Sequence, residues 1–439
     1  MGRAVWGNGG GGSEGMRRAK RPMRAIKRIL IISQVYVPDP ASVGQHMADA
    51  AEELARRGFR VRVVTSARGY DDPSIRYARR EARHGVRVVR VPWASFGKGS
   101  LLWRLVGGVS FLLQAMVHGI FTARPSAILV TTAPPMGALA AMVVSIVRRA
   151  PIVHWVMDLN PDQAVALGHV ERGSVLVALM EALNRSILGR ATTVVVLDRF
   201  MEARVTTKSA IAGKIVVLPP WPHENFLTTV DHDVNPFRKG QGWDGKLVIM
   251  YSGNHSPSNP LRTVLEAAAI LREETGVVFA FLGGGIGKAE VEEFARQYSL
   301  RNVVSLPYQP LDHAKYSLSA ADVHIVTLGS DMVGIVHPCK IYGALAVARP
   351  VIFVGPAPSH ASDILAMDSI GWHFEHGDSE GVARLVRSLL QAEPSKLREM
   401  GERGKQLVET HFSKVLLCSA FCDHVEHAIG SKDVSEVRP

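Results

Sequence analysis

The residue that points most directly to chemistry is a lysine at a predicted helix start. Residues 334–343 read GIVHPCKIYG, and the proline at 338 is typical of the first turn of a helix. Backbone amides at a helix start attract anions, whereas a lysine there opposes the helix dipole unless an anion is bound. We therefore predict that Lys340 and the backbone near Gly334 bind phosphate. A solvated surface lysine is the alternative.

Two glycine-containing turns in the same half of the chain are further candidates for phosphate binding. Residues 251–256 read YSGNHS between a strand-like run and a helical pattern, and residues 283–288 read GGGIGK after another strand-like run. Glycines allow a ligand to approach the backbone closely. We predict contacts through the amides near Gly253 and Gly284, and a proton donated by His255. Plain turns and a histidine bonded to a carbonyl are the alternatives.

A carboxylate ends an apolar run in the first half of the chain. Asp158 closes the segment 152–158, which is predicted to be a strand buried in a parallel sheet. Ligands of such sheets bind at the carboxyl ends of the strands. A carboxylate at this position can orient a hydroxyl group or stabilise an electron-poor carbon. Capping of a following helix is the alternative role.

Other polar residues also follow predicted strands. Gly44 and His46 come shortly after the first strand, and Asp162 comes shortly after Asp158. Tyr308 and Gln309 follow a strand of the second half and lie between two prolines. We predict that these residues line a cleft. Solvated surface positions and a plain turn are the alternatives.

Short Val/Ile-rich runs alternate with helical patterns in two series, which is typical of doubly wound α/β domains. We predict one domain over residues 23–225 and a second over 246–411, facing each other across a cleft. A polar segment, 226–245, is predicted to link them. Residues 412–439 are predicted to form a C-terminal helix and tail, and residues 1–22 a disordered basic tail.

The net charge of +11 is concentrated at the N-terminus. Residues 1–28 hold eight Lys/Arg and one Glu, which gives +7 and leaves +4 for the rest of the chain. This segment lacks the apolar core of a secretory signal, and Met16 or Met23 is an alternative start. The three cysteines form no Cys-x-x-Cys pair, which disfavours a zinc ribbon and a disulfide framework. A cytoplasmic location fits this cysteine content.

Several stretches taken in order resemble one enzyme family. No G-x-G-x-x-G follows the first strand, which disfavours a dehydrogenase. The second half is similar to the donor half of the family 4 retaining glycosyltransferases. Within that family it resembles the branch of colanic-acid and O-antigen fucosyl- and acetamidofucosyl-transferases. The stretches that carry the resemblance are YSGNH (251–255), FLGGG (281–285), PYQP (307–310), PCKIYGALAVARPVI (338–352), DLNPD (158–162) and VLPPW (217–221).

The resemblance implies the GT-B fold, in which two Rossmann-like domains enclose a cleft. It also implies a nucleotide-diphosphate sugar bound to the second domain, an acceptor entering beside the first, retention of anomeric configuration, and no metal or other cofactor. The expected catalytic residues are Asp158, Lys340 and His255. The expected donor-binding residues are Gly253, Asn254, Gly284, Tyr308, Gln309, Gly334 and Ile335. The expected acceptor-side residues are Gly44, His46 and Asp162.

The sequence departs from the family at its acidic positions. Members often carry two glutamates that contact the donor sugar and ribose, and Ile335 and Gly343 occupy those places. Asn254 and Pro260 lie near the places of the usual arginine and lysine that bind the diphosphate. Stabilisation of the leaving diphosphate is therefore assigned to Lys340, His255 and backbone amides. No Asp-x-Asp pair lies in a suitable loop, so a metal site is not expected.

The predicted function is transfer of a sugar from a nucleotide-diphosphate donor to a saccharide acceptor in cell-envelope or exopolysaccharide synthesis, and the acceptor is expected to be lipid-linked. A sugar-nucleotide epimerase of the same fold and a non-catalytic nucleotide-sugar-binding subunit remain alternatives. Analysis of the products would distinguish a transferase from an epimerase. Hydrolysis of the donor without acceptor would speak against a non-catalytic subunit. Nucleic acid is not an expected partner.

A basic segment followed by an apolar one suggests a membrane surface. Residues 68–90 contain seven arginines and three acidic residues, and an apolar helix is predicted over 101–120 with Trp103 in it. We expect peripheral association with the inner face of an anionic plasma membrane. Glycines and prolines interrupt the uncharged stretches 105–123 and 128–147, which disfavours a membrane-spanning helix. Packing of the apolar helix under the sheet is the alternative.

Overall fold

A computed structural model provides the fold of the chain. It describes residues 26–39, 41–69, 72–94, 101–223 and 228–435. The predicted tail 1–22 and the alternative starts at Met16 and Met23 lie outside the described residues.

The first domain is a doubly wound sheet of eight strands. The strands are β1 (Arg28–Ile32), β2 (Arg60–Ser66), β3 (Arg80–Arg83), β4 (Val86–Val91), β5 (Ala127–Thr131), β6 (Ile152–Trp155), β7 (Thr193–Val196) and β8 (Ile215–Val217). The helices are α1 (Ser42–Arg56), α2 (Leu101–Ile120), α3 (Ala138–Arg148), α4 (Asp162–Ala166), α5 (Val175–Arg190) and α6 (Arg199–Lys208). The strand order is β3-β4-β2-β1-β5-β6-β7-β8, and all pairs are parallel except β3 with β4.

The second domain has a parallel sheet in the order β11-β10-β9-β12-β13-β14. Its strands are β9 (Leu247–Ser252), β10 (Val277–Leu282), β11 (Val303–Leu306), β12 (Val323–Thr327), β13 (Val351–Val354) and β14 (Gly371–Phe374). The helices of this half, including the two C-terminal ones, are α7 (Pro236–Gly240), α8 (Arg262–Ile270), α9 (Lys288–Gln297), α10 (Ala314–Ser319), α11 (Lys340–Ala346), α12 (His360–Leu365), α13 (Ser379–Leu390), α14 (Pro394–His411) and α15 (Lys414–Ser435).

Burial explains why the central strands consist of continuous apolar runs. Every residue of β5 (AILVT) and β13 (VIFV) is buried, because helices cover both faces of the sheets. Among the described helices, none combines the length and hydropathy that a membrane span requires.

The C-terminal helix α15 returns to the first domain. It packs on α1, where Arg57 forms salt bridges of 2.6 Å with Asp423 and 2.8 Å with Glu426. The ring of Phe421 lies 4.2 Å from that of Trp155 at the end of β6. The preceding helix α14 packs on α11 of the second domain. The last two helices therefore connect the domains, and α15 completes the core of the first.

The predicted linker is partly folded. Helix α7 and Trp243 lie inside the segment 226–245, yet Trp243 is buried against Val248 and Met250 of β9. Phe237 meets the Trp243 ring edge to face at 5.8 Å. The second domain therefore starts at about α7, because these aromatic side chains complete its core.

Candidate active site

Lys340 lies against the loop that follows β9. Its Nζ is 5.1 Å from the centre of the Tyr251 ring, which is the geometry of a cation–π contact. Gly253 has a φ of +130°, and a Cβ built on it would lie 2.8 Å from Cε of Lys340. A side chain at this position would therefore displace the lysine. The structure brings together two predicted phosphate-binding features that are far apart in sequence.

The loops after β9 and β10 are packed backbone against backbone. Gly253 donates its amide proton to Leu282 (2.9 Å), and a Cβ on Gly283 would collide with the carbonyl of Gly253. A Cβ on Gly284 would lie 2.9 Å from Cε2 of Tyr308. The predicted residues Gly253, Gly284 and Tyr308 thus form one continuous surface at the carboxyl ends of these strands.

Three of the predicted donor residues differ in their exposure and contacts. Tyr308 is 54% exposed beside Gly284. Asn254 is exposed, and its carbonyl accepts a bond from the Tyr251 hydroxyl (2.7 Å). The Gln309 side chain donates to the carbonyl of Pro307 (3.0 Å). Tyr308 and Asn254 thus present accessible surface beside the loops after β9 and β10. Contact of Tyr308, Asn254 and Gln309 with a donor stays a prediction.

His255 is buried beneath the same loops. Its backbone amide donates to the carbonyl of Gly284 (2.7 Å), and its Nδ1 lies 3.3 Å from that oxygen. Nε2 has no hydrogen-bond partner among the described residues. Burial lowers the pKa of His255, and the charges of Lys340 and Lys288 lower it further. In the neutral ring Nδ1 donates to the carbonyl and Nε2 is an acceptor, so donation to a phosphate requires the protonated form.

Asp158 lies where the two domains meet. It forms an isolated antiparallel bridge with Val336, and its amide lies 3.3 Å from Oγ1 of Thr132. Burial raises the pKa of Asp158 to about 6. Its charge also raises the pKa of the Cys339 thiol, after the larger effect of burial, so the carboxylate acts on the residue just before α11. Asp158 and the residues just before α11 therefore lie close together, and their action in one catalytic site stays a prediction.

Gly334 and Ile335 form the contact between the domains. A Cβ on Gly334, whose φ is +70°, would lie 2.6 Å from the carbonyl carbon of Phe200. The amide of Ile335 donates to Met332 (2.9 Å), and its carbonyl accepts from the amide of Leu159 (3.0 Å). Both backbone groups of Ile335 are thus engaged, and the glycine is required by close packing on α6. Donor binding by these two residues stays a prediction.

Gly44 and His46 lie in the first turns of α1. A Cβ on Gly44 would lie 3.1 Å from the backbone of Tyr36, so the loop after β1 packs directly on the helix. The His46 ring is buried, with Nδ1 2.8 Å from the Ser42 carbonyl and Nε2 2.9 Å from that of Trp221. Burial lowers the pKa of His46. The ring therefore joins α1 to the 217–221 stretch, and its acceptor contact remains untested.

Asp162 begins α4 and forms an ion pair with Lys208 of α6 at 2.8 Å. Both side chains are mostly buried. This pair fixes the short helix that follows Asp158. The structure thus gives Asp162 a positioning role for that loop, and direct contact with an acceptor remains a prediction.

A chain of hydrogen bonds that the sequence did not predict joins the domains beside α11. Asp198 caps α6 through Oδ1, and its Oδ2 accepts from Nδ1 of His337 at 2.8 Å. The Tyr342 hydroxyl lies 2.9 Å from Nε2 of His337 and 2.7 Å from Nε2 of His360. His337 lies within the 334–343 stretch, but no local pattern pairs it with Asp198, 139 residues away.

The Tyr342 hydroxyl links two histidines of this chain. It has one proton, so it donates to one of His337 and His360 and accepts from the other. Burial acts to raise the pKa of Asp198, but the bond and charge of His337 hold it below the usual value. Asp198, His337 and His360 also place possible metal-ligand atoms within 4.8 Å of one another. In this structure those atoms serve hydrogen bonds within the chain.

Comparison with known proteins identifies the two halves of this site. Residues 42–221 match the family described as Glycosyl transferase 4-like domain, and residues 233–407 match Glycosyl transferases group 1. Both matches are to glycosyltransferase domains, and together they span most of the chain. The two matches cover both walls of the cleft, from α1 to the end of the second Rossmann-like domain. These matches confirm the predicted glycosyltransferase class and agree with the predicted GT-B fold, while retention of configuration stays a prediction.

The chain is similar to a curated protein in sequence and to solved structures in fold. The putative colanic acid biosynthesis glycosyl transferase WcaI of Escherichia coli is 29% identical over 348 residues, which cover 75% of this chain and 84% of WcaI. Sucrose-phosphate synthase from Thermosynechococcus elongatus has a TM-score of 0.72 at 17% identity, covering 92% of this chain and all of that one. Anabaena HepE in complex with UDP and glucose has a TM-score of 0.69 at 14% identity, covering 91% and 100%.

Proposed function

We propose that this glycosyltransferase moves a sugar from a nucleotide-diphosphate donor to a lipid-linked saccharide, with retention of configuration, in the synthesis of a cell-envelope or extracellular polysaccharide. The observation that carries the proposal is the placement of Lys340 on the Gly253 loop, in the same cleft as Asp158. The name of WcaI supports a polysaccharide acceptor, and the complex of HepE supports a UDP-sugar as the first donor to test.

The leaving diphosphate is the group that most needs stabilisation. Negative charge grows on it as the bond to the sugar breaks, and fixed cations and amides aimed at that charge lower the barrier. Lys340 supplies the cation, while the loops at Gly253 and Gly284 supply close-packed backbone. Asn254 and Pro260 lie near the places of the arginine and lysine that usually bind the diphosphate in the family, so Lys340 carries more of the electrostatic task.

Asp158 acts on the opposite side of the sugar. Its backbone pairs with Val336, shortly before α11, and its charge raises the pKa of Cys339 at the start of that helix. In the ionised form it stabilises positive charge that develops on the anomeric carbon, or it orients the attacking hydroxyl. Because burial raises its pKa to about 6, transfer should decline as the pH falls through that value.

A donor panel tests the proposal directly. Thermal shift with UDP-, GDP- and dTDP-sugars identifies the donor, since a ligand at about 100 times its Kd should stabilise the protein by about 2.7 kcal/mol. Products with a saccharide acceptor are then analysed by NMR for anomeric configuration. Inverted product refutes retention, an epimerised nucleotide sugar without transfer indicates an epimerase, and binding without any turnover indicates a non-catalytic subunit.

The proposal includes catalysis without a metal. Lys340 and the glycine loops provide charge stabilisation from the chain itself. Transfer should therefore persist in EDTA. Loss of activity that magnesium or manganese restores would contradict this part and would direct attention to Asp198, His337 and His360.

Peripheral binding to the inner face of an anionic membrane is also part of the proposal. One face of α2 packs inward through Phe111 and Ala115, and the other exposes Trp103, Leu113 and Val117 by more than half. This exposed face supports membrane contact. Part of the basic segment does not contribute: Arg90 is buried and bonds Glu81 at 2.7 Å, so its interpretation as a membrane-facing cation was wrong.

A further inference from the structure

Four arginines lie on one face of the first sheet, at the edge opposite the cleft. Arg28 pairs with Arg60 across β1 and β2, and Arg62 pairs with Arg87 across β2 and β4. Registered residues of parallel strands point to the same side, as do residues two apart in a strand. The four side chains therefore share one face. Like charges directly opposite each other destabilise a sheet, so a bound anion would stabilise this arrangement.

The shared face is the one that α2 covers. Leu30, two residues after Arg28, and Val64, two residues after Arg62, belong to the same core cluster as Phe111 of α2. Helix α2 ends at Ile120, so it leaves the amino-terminal ends of β1 and β2 uncovered. The arginines occupy this uncovered part of the sheet.

The uncovered region is concave and basic. One cavity of about 430 Å³ is lined by Arg28, Arg60, Arg62 and Arg87, with Thr122 beside them. A neighbouring cavity of about 530 Å³ shares two of these arginines and adds Arg80 and Glu81. Glu81 is the one acidic residue among the lining residues, and it bonds the buried Arg90. Among the described residues, none of the four arginines has an acidic partner within salt-bridge distance.

Exposed apolar side chains adjoin the basic cavities. Val117 is 55% exposed and Phe121 is 85% exposed at the end of α2, next to Thr122 of the first cavity and His118 of the second. A cavity that binds phosphate and adjoins apolar side chains matches the boundary between headgroups and acyl chains in a bilayer. A soluble phosphate compound would leave the aromatic ring of Phe121 exposed to water.

We propose that this basic cavity binds the phosphate of an anionic phospholipid headgroup while Phe121 and the exposed face of α2 enter the bilayer surface. The inference rests on the membrane association proposed above and gives it a defined site. The strand ends that carry the cavity are opposite to those that carry Asp158. Lipid binding therefore sets the orientation of the protein on the membrane without contact with the reacting groups.

A charge-matched pair of variants tests the proposal. The site variant combines Arg28→Gln, Arg60→Gln and Arg87→Gln, three exposed residues. The control combines Arg301→Gln, Arg384→Gln and Arg398→Gln, three exposed arginines of the second half of the chain. Both lose the same net charge. Binding is measured by flotation with phosphatidylcholine vesicles that do or do not contain phosphatidylglycerol.

We expect the wild type and the control to bind the phosphatidylglycerol vesicles alike. The site variant should bind about 100-fold more weakly, on the basis of the usual contribution of basic residues near an anionic surface. An unchanged melting temperature confirms that the site variant folds. Equal losses in both variants would show that diffuse charge, not the cavity, drives binding and would overturn the proposal.

Two further outcomes overturn it in distinguishable ways. If glycerol phosphate stabilises the wild type but no vesicle binds at low salt, the cavity serves a soluble phosphate compound. If the wild type fails to bind any vesicle or glycerol phosphate, the site does not exist. Transfer to a lipid-linked saccharide dispersed in detergent is measured in parallel, because without vesicles this activity should be the same in all three proteins. Its absence in all of them would instead refute the proposed function.

Discussion

Replacement of Asp158 by asparagine should make the protein more stable and less active. Burial raises the pKa of this carboxyl from 3.8 to about 6. A pKa about 2 above the usual value corresponds to a cost of about 3 kcal/mol for holding the ionised group in the folded protein. The asparagine side chain has nearly the same shape and no charge. We therefore expect Asp158→Asn to raise the free energy of unfolding by up to about 3 kcal/mol near neutral pH.

The stability difference between the wild type and Asp158→Asn should depend on pH. Above about pH 6 the wild type carries the full cost, because both the folded and the unfolded protein have the ionised carboxyl. As the pH falls from about 6 to 3.8, the folded protein binds the proton first and the cost disappears. The difference between wild type and variant should therefore be largest at neutral pH and vanish below about pH 4.

Urea denaturation of both proteins at several pH values measures this difference. Other groups titrate in the same range, but they are common to both proteins and cancel. Asp244→Asn, at an exposed position, is the control and should change stability by less than about 0.5 kcal/mol. A gain that is independent of pH, or no gain at neutral pH, would refute the assignment of a buried, charged Asp158.

The same variant tests the role of Asp158 in transfer. We expect donor affinity close to that of the wild type and a lower transfer rate, since the charge acts on the reacting carbon or the acceptor hydroxyl. A stabilised variant with slower transfer would show that the protein retains an unfavourable charge for catalysis. Unchanged affinity together with unchanged transfer would assign Asp158 to structure alone.

Three further substitutions probe the cleft and the contact between domains. Lys340→Ala should lower the rate of donor turnover by roughly 10- to 150-fold without unfolding the protein, and wild-type kinetics would contradict its role. Gly334→Ala should abolish transfer and enlarge the radius of gyration measured by X-ray scattering, because the new Cβ would lie 2.6 Å from the carbonyl carbon of Phe200; normal activity would contradict this. His337→Ala should lower the free energy of unfolding by about 3–5 kcal/mol, because Asp198 loses a buried partner, and an unchanged urea midpoint would contradict this.

The strands could be predicted from the sequence because their burial leaves a local pattern. Strands β10 and β13 are short Val/Ile- and Phe-rich runs of the predicted kind, since residues buried on both faces of a parallel sheet must be apolar without interruption. The edge strand β3 (REAR) has no such pattern, because it is polar and pairs on one side only.

The candidate loops at Gly253 and Gly284 and the position of Asp158 were also predictable, because ligands of doubly wound sheets bind where the strands end. The tertiary structure alone decided which of these residues meet. In the tertiary structure Lys340 lies next to Gly253, α15 packs on the first domain, and His337 is hydrogen-bonded to Asp198. The tertiary structure also buries Arg90, which composition had placed on a basic surface. Periodicity and turn preference report only on neighbours within a few positions. These contacts join segments that are far apart in sequence, within one domain for Lys340 and Gly253 and between the two domains for His337 and Asp198.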